Sequence, residues 1–379
     1  MIQRSLFDTL VGRLKDSNKI ILLYGPRQVG KTTLAKEVIS KMSGRALEIN
    51  ADLMQHNQIL SSRDLGKLRG LIEGYDLLFI DEAQRIPEIG INLKILHDQF
   101  PNLKIIATGS SSLDLASKVR EPLTGRTWSH NLFPISIGEL GGTRNRFELD
   151  QMVDELLIFG AYPVIFNIAN YAEKREYLVE LTNAYLYKDL LELSSIKNAP
   201  QMRNLLRLLA YQIGSEVSLN ELANTLRLHR DAVVNYIDLL EKAFVLFRLS
   251  GYRRNLRKEI TRHDKIFFWD LGVRNALIEN FSPLDTRDDN GKLWENFLLV
   301  ERIKTQSYRL EHSNRYFWRT YTGAELDFVE ERDGVLSGFE FKFSKKTVKP
   351  PQAWLDNYPN STFQTVNREN YLDFLLPSV

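Results

Sequence analysis

Residues 25–32 read Gly-Pro-Arg-Gln-Val-Gly-Lys-Thr, the pattern G-x-x-x-x-G-K-[ST]. The apolar run Ile20-Ile21-Leu22-Leu23-Tyr24 leads into it, and the helix-compatible Thr33-Leu34-Ala35-Lys36-Glu37 leads out. Strand, glycine loop and helix, in that order, form a loop that cradles phosphate. Gly25 and Gly30 permit backbone conformations that a Cβ would hinder. Loop amides then point at phosphate oxygens, and the helix N-terminus adds positive potential. Gly25, Pro26, Arg27, Gln28, Val29, Gly30, Lys31, Thr32 and Thr33 are the expected cradle. Lys31 would reach the β- and γ-phosphates, and the Thr32 hydroxyl would bind Mg²⁺.

A second apolar strand, Tyr75-Asp76-Leu77-Leu78-Phe79-Ile80, ends in Asp81-Glu82-Ala83-Gln84. Apolar residues followed by two acids suit a buried parallel strand whose carboxyl end meets a ligand crevice. Asp81 would hold Mg²⁺, directly or through water, and Glu82 would polarise a water attacking the γ-phosphate. A third strand, Leu103-Lys104-Ile105-Ile106-Ala107, ends in Thr108-Gly109-Ser110-Ser111-Ser112. Its hydroxyls either sense the γ-phosphate or simply cap the next helix. Arg126, in Leu123-Thr124-Gly125-Arg126, is either a surface charge or an arginine finger, acting in its own chain or on a neighbouring subunit. Upstream, Ile2, Leu6, Leu10 and Leu14 recur at helical spacing, which predicts an amphipathic opening helix.

These segments together resemble the AAA+ ATPases of bacteria and archaea that carry a C-terminal domain of unknown function. Phe133-Pro134-Ile135-Ser136 and Gly160-Ala161-Tyr162-Pro163 also resemble that family, although many members have glycine where this chain has Ala161. The resemblance covers nearly the whole chain. It implies an ASCE-type core using ATP and Mg²⁺, with Glu82 as catalytic base, Thr108 and Ser110 near the γ-phosphate sensor, and Arg126 as the finger.

With 379 residues the chain should hold two or three domains. The expected class is α/β: a parallel-sheet ATPase core (residues 1–140), a helical lid (141–200), a winged helix (201–281) and a restriction-endonuclease-like domain (282–379). Net charge is only +2, so any nucleic-acid contact must come from local patches. No cysteine is present, which excludes disulfides, thiol catalysis and thiolate zinc sites. No apolar run is long enough to span a bilayer, and residues 1–8 lack a signal-peptide core. A cytoplasmic location is the default expectation.

In the middle of the chain, Ser218-Leu219-Asn220-Glu221 is a capping-box signature. A short helix, a break at Arg227-Leu228-His229, a longer helix bearing Val233, Val234, Ile237, Leu239 and Leu240, and two strands predict a winged helix. The outward residues of the longer helix, Arg230, Asn235, Asp238, Glu241 and Lys242, carry mixed charge and read DNA poorly. The wing holds Arg253, Arg254, Arg257 and Lys258 around Tyr252, a cluster that neutralises phosphates. DNA contact and a protein-packing role both fit.

The linker 282–291 precedes a helix carrying Glu295, and then several strands. Arg332-Asp333-Gly334 should turn a hairpin. In Phe339-Glu340-Phe341-Lys342-Phe343 the phenylalanines share one face and Glu340 and Lys342 the other. In the preceding strand Glu325 and Asp327 should share a face, opposite Leu326 and Phe328. Asp327 and Glu340 would then hold Mg²⁺, with Lys342 steering or deprotonating a water. The set resembles the core of PD-(D/E)xK nucleases, with Glu295 as their helical acid. A half-buried strand with a Glu–Lys surface pair reads the same locally. Expected partners are ATP, DNA through the wing and C-terminal domain, and, for a finger acting between subunits, a homo-oligomer.

Overall fold

The computed structural model describes residues 2–109, 123–183, 199–252 and 264–376. It divides into two compact units, one of Met1–Ile135 with Lys242–Phe244, the other of Ser136–Glu241 with Val245–Val379.

The first unit opens with α1 (Leu6–Asp16), whose Leu6, Leu10 and Leu14 are buried at the predicted helical spacing. Burying each leucine contributes roughly 2 kcal/mol. Next come β1 (Ile20–Tyr24), α2 (Lys31–Ile39), β2 (Ala46–Asn50), α3 (Met54–Leu60), α4 (Leu65–Ile72), β3 (Leu77–Asp81), α5 (Ile89–Gln99), β4 (Lys104–Gly109) and β5 (Thr127–Asn131). The strands form a parallel sheet in the order β2-β3-β4-β1-β5. All of β1 is buried, as are the first four residues of β3. Strands buried on both faces must be apolar throughout, which is how these two read. Because β4 lies between β1 and β3, the carboxyl ends of all three strands are neighbours. Ligands in open parallel sheets bind at such ends.

The second unit begins with α6 (Ile137–Gly141) and α7 (Arg146–Phe159), each opened by a reciprocal capping box, Ser136 with Glu139 and Asn145 with Glu148. It continues with α8 (Tyr171–Leu181), α9 (Ala199–Tyr211), α10 (Leu219–Leu226), α11 (Arg230–Lys242), β6 (Leu246–Gly251), β7 (Lys265–Phe268), α12 (Leu271–Leu277), α13 (Asn290–Tyr308), β8 (Asn314–Arg319), β9 (Glu325–Arg332), β10 (Val335–Phe341), α14 (Gln352–Asn357), β11 (Thr362–Val366) and α15 (Tyr371–Leu375). Ser218 accepts from the Glu221 amide at the start of α10, and left-handed Arg227 ends it. On α11, Val233, Ile237 and Leu240 are buried, whereas Val234 and Leu239 are only half-buried. Among the described residues no helix is long and apolar enough to cross a membrane.

Strands β6 and β7 pair antiparallel, as expected for a hairpin. At its base this hairpin joins a larger sheet. β6 also pairs in parallel with β8, so that one sheet runs β11-β10-β9-β8-β6-β7. The expected boundaries after residues 200 and 281 therefore fall inside one compact unit. Asp238 and Glu241 are not free outward charges either: Arg248 of β6 ion-pairs with both. The wing residues Arg253, Arg254, Arg257 and Lys258 lie outside the described residues.

Asp333 and Gly334 form the two-residue β9–β10 turn, both with positive φ, which suits a hairpin turn matching strand twist. β9 carries a bulge. Tyr316 pairs with Val329 but Trp318 pairs with Leu326, so three steps on β9 span two on β8. This corrects the strict alternation expected there. Leu326 packs with Val329, Trp318 and Trp354, while Phe328 stacks on Phe339 and Phe341.

Gly160 has a structural reason within this unit. Its φ is +69°, and a Cβ would lie 2.1 Å from a buried carboxylate oxygen of Asp270. That carboxylate accepts the Ala161 and Val273 amides at 2.7 and 3.0 Å.

Candidate functional site

The loop after β1 folds as its glycines require. Gly25 has φ +152°, and a Cβ there would sit 2.1 Å from the Leu132 carbonyl oxygen. Gly30, at φ +99°, starts α2. Arg4 braces the loop from outside it: its guanidinium donates to the Val29 carbonyl at 2.8 Å and the Phe133 carbonyl at 2.5 Å. Nothing in the motif announces Arg4; only its polarity within the opening apolar stripe sets it apart.

Lys31 is 5% exposed and donates to the carbonyls of Gly25 (2.9 Å) and Pro26 (2.8 Å). Burial pushes its ammonium down to about 8, against the pull of Glu82 and Asp81. Thr32 Oγ1 donates to the Asp81 carboxylate, 2.8 and 3.0 Å from its two oxygens. Thr108 Oγ1, at the end of β4, donates to Asp81 Oδ1 at 2.5 Å and accepts the Glu82 amide at 3.1 Å. Loop, acidic pair and β4 hydroxyl are thus brought together by the strand order. Glu82 itself is left-handed, with φ +54°. Non-glycine residues there carry strain of order 1–3 kcal/mol, which concentrates at functional sites. Gln84 Nε2 donates to Glu82 Oε2 and fixes its carboxylate. Ser110 lies outside the described residues.

Arg126 is elsewhere. It immediately precedes β5, whose Thr127 pairs with Ile20 at the start of β1, whereas the phosphate loop follows Tyr24 at the other end. The intervening strand spans roughly 13 Å at about 3.3 Å per residue. Arg126 thus stands at the end of the sheet opposite the phosphate loop of its own chain. Its guanidinium instead grips Asp98, Nε to Oδ1 at 2.7 Å and a terminal nitrogen to Oδ2 at 3.1 Å. Hydrogen bonds from Arg126 and His97 hold the Asp98 carboxyl down to about 2.

A second constellation lies in the other unit. Asp327 lies near enough to Glu295 on one side and to Glu340 and Lys342 on the other for their charges to act on one another, and Lys265 joins Glu295 and Asp327. Lys342 Nζ donates to Glu340 Oε1 at 2.6 Å, and the Phe341 amide donates to Asp327 Oδ2 at 2.8 Å. Lys265 Nζ donates to Glu295 Oε1 at 3.0 Å, with both side chains almost fully buried. Burial raises the Asp327 and Glu340 carboxyls; proximity of the two raises Glu340 further. Among the described residues no three His, Cys, Asp or Glu side chains are grouped so as to hold a metal ion. Asp327 Oδ2 and Glu340 Oε1 each accept from a donor of the protein itself, whereas Glu340 Oε2 is buried without a hydrogen bond. Lys265 was missed because it opens an apolar strand, and its partner lies 30 residues away on a helix.

Residues 17–141 match an AAA domain; residues 150–284 and 290–358 match two domains of unknown function. An uncharacterized protein of Mycobacterium tuberculosis is 31% identical over 327 residues, 85% of this chain and 70% of that protein. One from Methanocaldococcus jannaschii is 25% identical over 338 residues, covering 82% and 72%. Among solved structures, the Walker-type ATPase of Pyrococcus abyssi is similar in fold, with a TM-score of 0.51 and 18% identity over 73% of this chain and 96% of that one.

Proposed function

Because this chain belongs to the family of that mycobacterial protein and matches an AAA domain at residues 17–141, we propose that it binds ATP with Mg²⁺ and hydrolyses it. The observation carrying the proposal is the convergence of Lys31, Thr32, Asp81 and Thr108 at adjacent strand ends. A hydroxyl beside a carboxylate is a hard-oxygen donor pair, which suits Mg²⁺. Thr32 and Asp81 would hold the ion, which neutralises charge on the β- and γ-phosphates. Lys31 exchanges its two carbonyl partners for phosphate oxygens. Glu82 accepts the proton of the attacking water as its oxygen bonds to the γ-phosphorus and the bond to the β–γ bridging oxygen breaks. Thr108 and Gln84 position Asp81 and Glu82.

Lys31 provides the test of binding. In Lys31→Ala, affinity for a fluorescent ATP analogue should fall at least about 100-fold, as expected for a lost charge-assisted phosphate contact worth a few kcal/mol. Retention of wild-type affinity would remove Lys31 from the cradle. A pH effect follows as well. In the free protein Lys31 titrates at about 8, and bound phosphates raise that value. Binding at pH 8 should therefore take up about half a proton on Lys31, falling toward zero at pH 6.5. Calorimetry in buffers of different ionisation heat, corrected for the nucleotide's own protons, reads this directly. No uptake at pH 8 would contradict the contact.

For the output of the cycle, two readings stand. In one, unit two engages DNA through residues 253–258 and cleaves it at Asp327, Glu340 and Lys342. In the other, unit two is a non-cleaving module that docks a partner under nucleotide control. The hydrogen bonds that the Phe341 amide and Lys342 make to Asp327 Oδ2 and Glu340 Oε1 support the second. Plasmid incubated with the protein, ATP and Mg²⁺ or Mn²⁺ should be nicked no faster than with Asp327→Ala. Nicking lost on that substitution would establish the first reading.

A further inference from the structure

The carboxylate constellation of the second unit contains a cation that the nuclease-like pattern does not include. Lys265 stands at the first position of β7, 7% exposed. Its ammonium lies 3.0 Å from Glu295 Oε1, and Glu295 is 9% exposed on α13. The same ammonium senses Asp327 and Glu325. Lys342 occupies Glu340 Oε1, and the Phe341 amide occupies Asp327 Oδ2. Three carboxylates, Glu295, Asp327 and Glu340, are thus faced by two ammonium groups and an amide. Glu340 Oε2 is buried and without a hydrogen bond, and is the oxygen left open to an added cation once Lys342 holds Oε1.

A divalent ion and a buried lysine compete for one negative region. Burying an ammonium without a compensating anion costs several kcal/mol, so Lys265 is stable there only while the carboxylates remain available to it. An ion of charge +2 placed among the same oxygens would repel it at short range in a medium that screens poorly.

We propose that Lys265 is a built-in counter-ion that takes the place of a divalent metal in the Glu295–Asp327–Glu340 cluster, making this a metal-independent structural centre. The inference is independent of the ATP site, so either can fail alone.

The test is Mn²⁺ binding to the nucleotide-free 379-residue chain, followed by electron paramagnetic resonance, with Asp327→Asn as the control that separates this cluster from the phosphate loop. Wild type should show no Mn²⁺ binding that disappears in Asp327→Asn. Lys265→Met should acquire such binding, with at least tenfold higher affinity than wild type at the Asp327-dependent site. If Lys265→Met does not fold, the double variant Lys265→Met/Glu295→Gln removes both buried charges and serves in its place. Asp327-dependent Mn²⁺ binding in the wild type overturns the proposal. So does a folded Lys265 variant that gains none.

Discussion

Glu82→Gln should bind ATP with nearly wild-type affinity and hydrolyse it on the order of 10³-fold more slowly, because general-base assistance is typically worth 10²–10⁴. The substitution keeps the shape of the side chain and its contact with Gln84, but removes the proton acceptor. The Asp81 carboxylate, held by Thr32 and Thr108, is untouched, and so are the Lys31 contacts. Binding and chemistry should therefore separate: a filter-binding assay retains ATP, while phosphate release nearly stops. Equal loss of binding and turnover would assign Glu82 to the cradle instead. Full turnover would show that another group accepts the proton.

Arg126→Ala is the second large effect. Since Arg126 stands at the far end of β5 from the loop, its placement favours a finger role on a neighbouring subunit over one in its own chain. An arginine finger supplied from a neighbour is worth 10³–10⁵ in turnover. On this reading hydrolysis should rise with protein concentration in wild type and fall on the order of 10³-fold in Arg126→Ala, with ATP affinity retained. Mixing Arg126→Ala with Glu82→Gln should restore activity, because one variant supplies an intact base and the other an intact arginine. Wild-type turnover in Arg126→Ala at all concentrations would leave Arg126 as the partner of Asp98 and nothing more.

The parts of the first unit legible in the sequence are those buried on both faces. Strands β1, β3 and β4, the centre of the sheet, are runs of apolar residues and were predictable as strands. The edge strands β2 and β5 were not. Ala46–Asn50 and Thr127–Asn131 each have a single neighbour and remain partly exposed, so their sequences need not be apolar. Missing β5 hid the position of Arg126, which its place just before that strand would otherwise have fixed. The phosphate loop and Asp81-Glu82 were legible because local backbone geometry demands particular residues there. Thr108 was legible only as one of two readings, because its contact with Asp81 depends on β4 inserting between β1 and β3.

In the second unit the limits are of a different kind. Period-two alternation placed Leu326 and Phe328 on one face, and a bulge that depends on pairing with β8 separated them. The pairing of β6 with β8 joins segments that composition alone assigned to different domains. Lys265 is the sharpest case. A lysine before three apolar residues reads as a strand end, and only the packing of β7 near α13 turns it into the partner of a buried glutamate.

The central claim is Mg²⁺-dependent ATP hydrolysis at the loop between β1 and α2. Its most direct measurement is steady-state phosphate release by the wild-type protein beside Lys31→Ala, each with Mg²⁺ and with excess chelator. Wild type should turn over ATP and the chelator should abolish that turnover, while Lys31→Ala should show none above background under either condition. Phosphate release by Lys31→Ala at the wild-type rate, or no release by folded wild-type protein at any concentration tested, would contradict it.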